Sequence, residues 1–153
     1  MRVVYLDDGF LVLDHLTTRE TIDLVWAQFS QTPFQWSEYE HLLPDMMRDT
    51  PVNKLSLGQK RRLLLLIAIV TPCRVLLLDE PFNGLDPIAV EDFCAVFQKK
   101  AREAYVVYAT HDLDRLSTIA TQCILMSPGS PVRVIGKPDF GTITQVLAGD
   151  GNR

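Results

Sequence analysis

The 153-residue sequence predicts an α/β fold, a parallel sheet joined to a mostly helical segment. Two observations carry that expectation. After Cys73, short apolar β-prone runs alternate with helical patterns, the order that produces parallel strands joined by helices. Between residues 17 and 70, apolar positions recur at helical spacing and prolines break the pattern into short pieces.

Residues 3–6 (Val-Val-Tyr-Leu) read as a short buried strand ending at Asp7 and Asp8. Thr17 or Thr18 offers a helix N-cap, Glu20 suits the first turn, and Ile22, Val25, Trp26 and Phe29 form one face. Pro33, Pro44 and Pro51 limit the next stretch to short helices and turns. Residues 75–78 are continuously apolar, as expected of a strand buried on both faces. Asp86-Pro87 starts a helix, with Asp as cap, Pro in the first turn, and Ile88, Phe93, Val96 and Phe97 turned inward. Tyr105 to Ala109 reads as a second buried strand, 112–120 as a helix and 123–126 as a third strand. Pro128-Gly129 then turns the chain into a hairpin with 132–135, and the tail from Gly149 to Arg153 frays.

Composition excludes several classes. A net charge of −4 offers no global positive field for nucleic acid or anionic lipid. Three widely spaced cysteines, Cys73, Cys94 and Cys123, contain no C-x-x-C pair and suit a reducing compartment. The longest apolar run, 63–70, falls far short of the roughly 20 residues that cross a bilayer. No signal-peptide apolar region develops before Asp7 and Asp8.

Chemistry concentrates in four places. Asp79 and Glu80 end the apolar run 75–78, and consecutive residues at a strand tip face opposite ways, so one can hold a magnesium ion while the other activates a water. An acidic strand end that simply meets solvent is the plainer alternative. Leu55-Ser-Leu-Gly-Gln59 reads as a helix start: Ser56 can cap, Gly58 leaves room for a phosphate, and free N–H groups and the helix dipole favour an anion. Read alone it is a capped helix start and no more. Lys60, Arg61 and Arg62 behind it read as a solvated first-turn face. Asn83-Gly-Leu-Asp86 reads as a turn into the next helix, and His111 stands just beyond the 105–109 strand.

In this order and spacing, these elements resemble the second half of an ABC-type ATPase, the ATP-binding cassette of ABC transporters, over about residues 3–136. The resemblance implies an incomplete P-loop NTPase (ABC ATPase-like) α/β fold. Its helical subdomain would occupy about 9–70, the catalytic core 71–136 and a tail 137–153. It implies ATP and Mg²⁺ as cofactors. Asp79 would hold the metal through a water, Glu80 would polarise the attacking water, and His111 would touch the γ-phosphate. Ser56, Gly58 and Gln59 would form the signature motif, closing over ATP held by an opposing cassette, and Asp86 would belong to the D-loop between cassettes. Partners implied are a transmembrane permease subunit and a second cassette, identical or different, with no nucleic acid. The chain would then lie on the cytoplasmic face of the membrane.

The sequence departs from that family twice. The phosphate-gripping Walker A loop, G-x-x-x-x-G-K-[ST], occurs nowhere in the 153 residues. The expected reading is therefore a truncated or split cassette with weak ATP binding and negligible ATPase activity alone, showing low solubility, self-association, or completion by a separately encoded N-terminal half. Aspartate (Asp8) also stands where the family's Q-loop glutamine is expected. Two alternatives remain: a degenerate cassette lending its signature motif to a partner's ATP, or a DNA-repair or chromosome-maintenance ATPase of the wider superfamily. The last is disfavoured by net acidity and by a proline-broken segment where those proteins carry coiled coils.

Overall fold

The computed structural model describes residues 2–7, 14–112, 119–126, 129 and 131–143. The chain divides into two compact units, Met1–Thr110 and His111–Arg153.

The first unit contains a three-stranded parallel sheet in the order β1 (Val3–Leu6), β2 (Val75–Asp79), β3 (Tyr105–Ala109). Val3 pairs with Val75 and Val75 with Tyr105, so β2, the most apolar strand, lies in the middle. One face of the sheet is packed: Leu6, Leu76 and Leu78 are buried, beside half-buried Val4, Val106 and Tyr108. The other face is not. Val3, Tyr5, Tyr105 and Val107 are exposed by 49, 54, 79 and 50%, and Val75 and Leu77 between them are half-buried. The sequence expectation of strands buried on both faces is therefore corrected. An apolar run cannot say whether cover is present on each side.

Helix α1 (Thr18–Trp26) starts as expected from Thr17, whose hydroxyl accepts from the Glu20 amide while the Glu20 carboxylate accepts from the Thr17 amide, a reciprocal cap. Those hydrogen bonds hold the Glu20 carboxyl below the usual carboxylate range. The proline-broken stretch holds two single-turn 3-10 helices and the short α2 (Asp45–Arg48). It is organised around Phe34, which meets Trp26, Trp36 and Tyr39 at ring distances of 5.6, 5.0 and 5.3 Å.

Helix α3 (Leu57–Val70) is buried all round from Leu63 onward, as an apolar helix without a polar stripe must be. It packs on β1, α1 and α4 (Pro87–Lys100). In α4, Ala89, Val90, Phe93 and Phe97 are buried. Ile88, expected inward, is 73% exposed, because it sits one position off the stripe that 89, 93 and 97 define. Phe82 links Phe97 to Tyr108, closing the core beneath the C-terminal end of the sheet.

In the second unit, β4 (Gln122–Leu125) and β5 (Arg133–Gly136) form the expected antiparallel hairpin. Cys123 and Ile143 make its small core with Ala120, Leu125, Ile135 and Phe140. Burial raises the Cys123 thiol pKa, so it stays a neutral packing group. Most of the helix expected over 112–120 and all of residues 144–153 lie outside the described residues, as do Asp8 and Pro128. No helix among the described residues is long and apolar enough to cross a membrane.

Candidate functional site

The C-terminal end of β2 is where the chemistry-bearing residues of the first unit meet. Asp79 is the last residue of the strand and is exposed. Glu80, half-buried, leaves the strand with φ +42°, in the left-handed region that non-glycine residues seldom adopt. It is also followed by Pro81, whose ring removes right-handed helical backbone from the residue before it. The two carboxylates are thus separated by a sharp backbone turn, not by simple strand alternation. The Glu80 amide donates to the Ala109 carbonyl of β3 at 3.0 Å, and the Glu80 carbonyl accepts from the Asn83 amide at 3.2 Å.

Beside this turn stands the N-terminal end of α3. Ser56 is exposed and caps the helix reciprocally: its hydroxyl accepts from the Gln59 amide at 3.2 Å, and the Gln59 side-chain oxygen accepts from the Ser56 amide at 2.9 Å. Gly58 has an internal reason to be glycine. A Cβ there would lie 2.7 Å from the carbonyl oxygen of Gly84, a backbone atom that cannot step aside. Gly84 itself turns the chain at φ +77°. The helix tip and the 83–86 turn therefore touch backbone to backbone.

Asp86 caps α4 as expected, accepting from the Ala89 amide at 3.0 Å. It also pairs with Arg62 at 2.5 Å. The Ala89 amide first, and the Arg62 guanidinium next, hold its carboxyl below the usual range.

Arg61 overturns one expectation outright. It does not belong to a solvated face: only 6% is exposed. Its guanidinium donates to the carbonyls of Asp79 and Glu80, both at 2.6 Å, of Pro81 at 3.1 Å, and of Asp7 at 3.4 Å. One cation thereby gathers the carbonyls of a chain segment that turns away from the sheet ladder. The signal was in the helix. Arg61 lies three, four and seven residues before Leu64, Leu65 and Ala68, so a helix buried all round past Leu63 carries Arg61 inward.

His111 opens the second unit and is exposed. The structure thus gathers Ser56, Gly58, Gln59, Asp79, Glu80 and Asp86 within the first unit, and places His111 in the other.

Among the described residues no three acidic, histidine or cysteine side chains cluster as a self-sufficient metal site. An exposed carboxylate next to a second one fits magnesium in a different manner, since Mg²⁺ typically takes one or two protein carboxylates and completes its shell with waters and phosphates. Asp79 suits a nucleotide-borne ion, not a structural one.

A parallel sheet with an acidic tip on its central strand stands beside a capped, glycine-bearing helix start. The chain belongs to the family described as "AAA domain, putative AbiEii toxin, Type IV TA system", whose model matches residues 6–116. Its relatives are ABC transporter ATP-binding proteins. It is 35% identical over 147 residues to the glycine betaine/carnitine/choline transport ATP-binding protein OpuCA of Bacillus subtilis, covering 90% of this chain and 38% of that protein. Among solved structures, an ATP binding subunit of an ABC transporter superposes with a TM-score of 0.72 at 21% identity, over 96% of this chain and 63% of the other. The ATP-binding cassette MJ0796, solved as a dimer in a post-hydrolysis state bound to ADP and Pi, gives 0.72 at 21% identity, over 89% and 63%. The α/β cassette fold is therefore shared. The chain spans less than two thirds of the length of the proteins it matches.

Proposed function

We propose that residues 1–153 are the signature-to-histidine portion of an ABC-type ATP-binding cassette. Completed by a Walker A segment, it hydrolyses ATP to ADP and phosphate to drive transport through a membrane permease. The observation that carries this reading is the exposed acidic tip of β2, with the helix tip of Ser56 and Gly58 held against the same loop.

In this reading Asp79 would hold Mg²⁺ through a water, and the bound ion would supply positive charge against the phosphates. Glu80 accepts a hydrogen bond from the attacking water and draws off its proton, help typically worth about 10²–10⁴ in rate. The family resemblance assigns His111 the contact with the γ-phosphate. Ser56, Gly58 and Gln59 serve an ATP held by a second cassette, identical or different, and their capped helix start favours an anion there. Asp86, fixed by Arg62 and by its capping role, braces the loop that meets that cassette. The chain would sit on the cytoplasmic face of the membrane through its permease.

Incompleteness is supported by the sheet. Parallel sheets are ordinarily covered on both faces, whereas Val3, Tyr5, Tyr105 and Val107 lie open. A separate or preceding polypeptide bearing the Walker A loop is the cover this reading supplies. The test mixes the purified chain with a Walker A-bearing N-terminal segment of an OpuCA-type relative and follows phosphate release. Magnesium-dependent turnover that appears on mixing and drops at least 100-fold with Glu80→Gln is expected. Turnover unchanged by Glu80→Gln removes Glu80 from the chemistry.

A further inference from the structure

We infer that Arg61 is the positioning residue for Glu80: its guanidinium holds the strained turn that aims the Glu80 carboxylate and locks that turn to the helix carrying Ser56. The inference deepens the reading of Glu80 given above and rests on it.

A glutamate at φ +42° before a proline lies in a region that costs a non-glycine residue free energy, so surrounding contacts must impose it. Those contacts come from two sides. Strand β3 holds the Glu80 amide through the Ala109 carbonyl, and α3 holds the carbonyls of residues 79, 80 and 81 through a single guanidinium. Three successive carbonyls converge on one cation only if the chain reverses sharply there. Arg61 therefore selects the turn as well as satisfying it. The planar fork matters, because an ammonium group is a point charge and cannot span the same set. The grip reaches β1 as well, through the Asp7 carbonyl. Gly58 against Gly84, and Arg62 paired with Asp86, join the same two segments further along. The first two turns of α3 and the loop from 79 to 86 thus move as one body, and a displacement of the Ser56 helix tip is delivered to Glu80.

The test is hydrogen exchange on the purified chain, read at the Glu80, Asn83 and Leu85 amides, whose acceptors are Ala109, Glu80 and Phe82. Arg61→Gln and Arg61→Lys should each speed exchange at these amides at least tenfold relative to the β2 amides. The Glu80 Cα and Cβ chemical shifts should move away from left-handed values. In an E80G background, where residue 80 takes positive φ without strain, the same Arg61 substitutions should speed exchange less than about threefold. Equal acceleration in both backgrounds, full rescue by lysine, or a chain that unfolds in both backgrounds would assign Arg61 to general folding and overturn the inference. Loss of protection as described, alongside turnover indifferent to Glu80→Gln in the mixing experiment, would retain Arg61's hold on the turn and overturn its service to catalysis.

Discussion

The two faces of the three-stranded sheet are built from the same residue types and meet opposite fates. On one, Leu6, Leu76 and Leu78 disappear beneath α3 and the Phe82–Phe97 cluster. On the other, valines and tyrosines at the alternate positions stand open. Period-2 alternation in a strand normally separates apolar from polar side chains. Here it separates apolar from apolar. The packed face lies against the helices, whereas Asp79 follows the alternation of Val75 and Leu77 and ends β2 exposed on the open side. The composition suits a buried sheet, and among the described residues half of it is buried.

Matched truncations should sharpen that contrast. Leu76→Ala, in the packed face, should cost about 2–5 kcal/mol, whereas Tyr105→Ala, on the open face, should stay within about 0.5 kcal/mol in the chain alone. Urea unfolding at constant m-value measures both. Comparable losses would mean that the open face is covered in solution by the chain itself.

Next in size is Gly58→Ala. Elsewhere in a helix interior that change gains up to about 1 kcal/mol. Against the Gly84 carbonyl it should instead destabilise by about 1–3 kcal/mol, seen as a lowered urea midpoint. A stabilised Gly58→Ala would show that the helix tip and the 83–86 turn do not touch.

A smaller stability effect, with a larger effect on association, is expected from Tyr5→Lys combined with Val107→Lys. Charges on the open face should shift the sedimentation profile from self-associated species toward monomer. A wild-type chain already monomeric at high concentration would count against the exposed face being an adhesive one.

The weakest effect is acid sensitivity. Glu20 and Asp86 are both depressed in the folded chain, so the unfolded chain binds their protons more readily. Their contribution is complete above the ordinary carboxylate value of about 4 and is lost as pH falls through the lower folded values. Asp86→Asn should flatten part of the stability loss below about pH 4 and leave the neutral plateau without slope. A stability change centred near neutral pH would contradict these assignments.

Much of this was legible in the sequence. Thr17 or Thr18 ahead of Glu20, Ser56, and Asp86 with Pro87 each state a helix start chemically, and caps form at Thr17, Ser56 and Asp86. The run 75–78 states a strand, and the acidic pair marks its end. What could not be read is contact between segments. Whether Val75 and Leu77 are covered depends on what lies across the sheet, and an apolar residue reads the same either way. Gly58 reads in the sequence as an approach for phosphate, but its nearest neighbour is the carbonyl of Gly84, 26 residues on. Arg61 shows the same limit. Three consecutive basic residues suggest a wet face, and only the all-round burial of α3 reveals that they point in different directions.

In the proposed reading, residues 1–153 carry Glu80 in place for catalysis but lack the Walker A loop that would hold the nucleotide. Titrating the purified chain with Mg²⁺-ATP, and assaying phosphate release in the same samples, tests this most directly. Weak binding and negligible turnover are predicted. Tight binding with sustained, magnesium-dependent hydrolysis that Glu80→Gln abolishes would show the chain to be a complete enzyme and contradict the account.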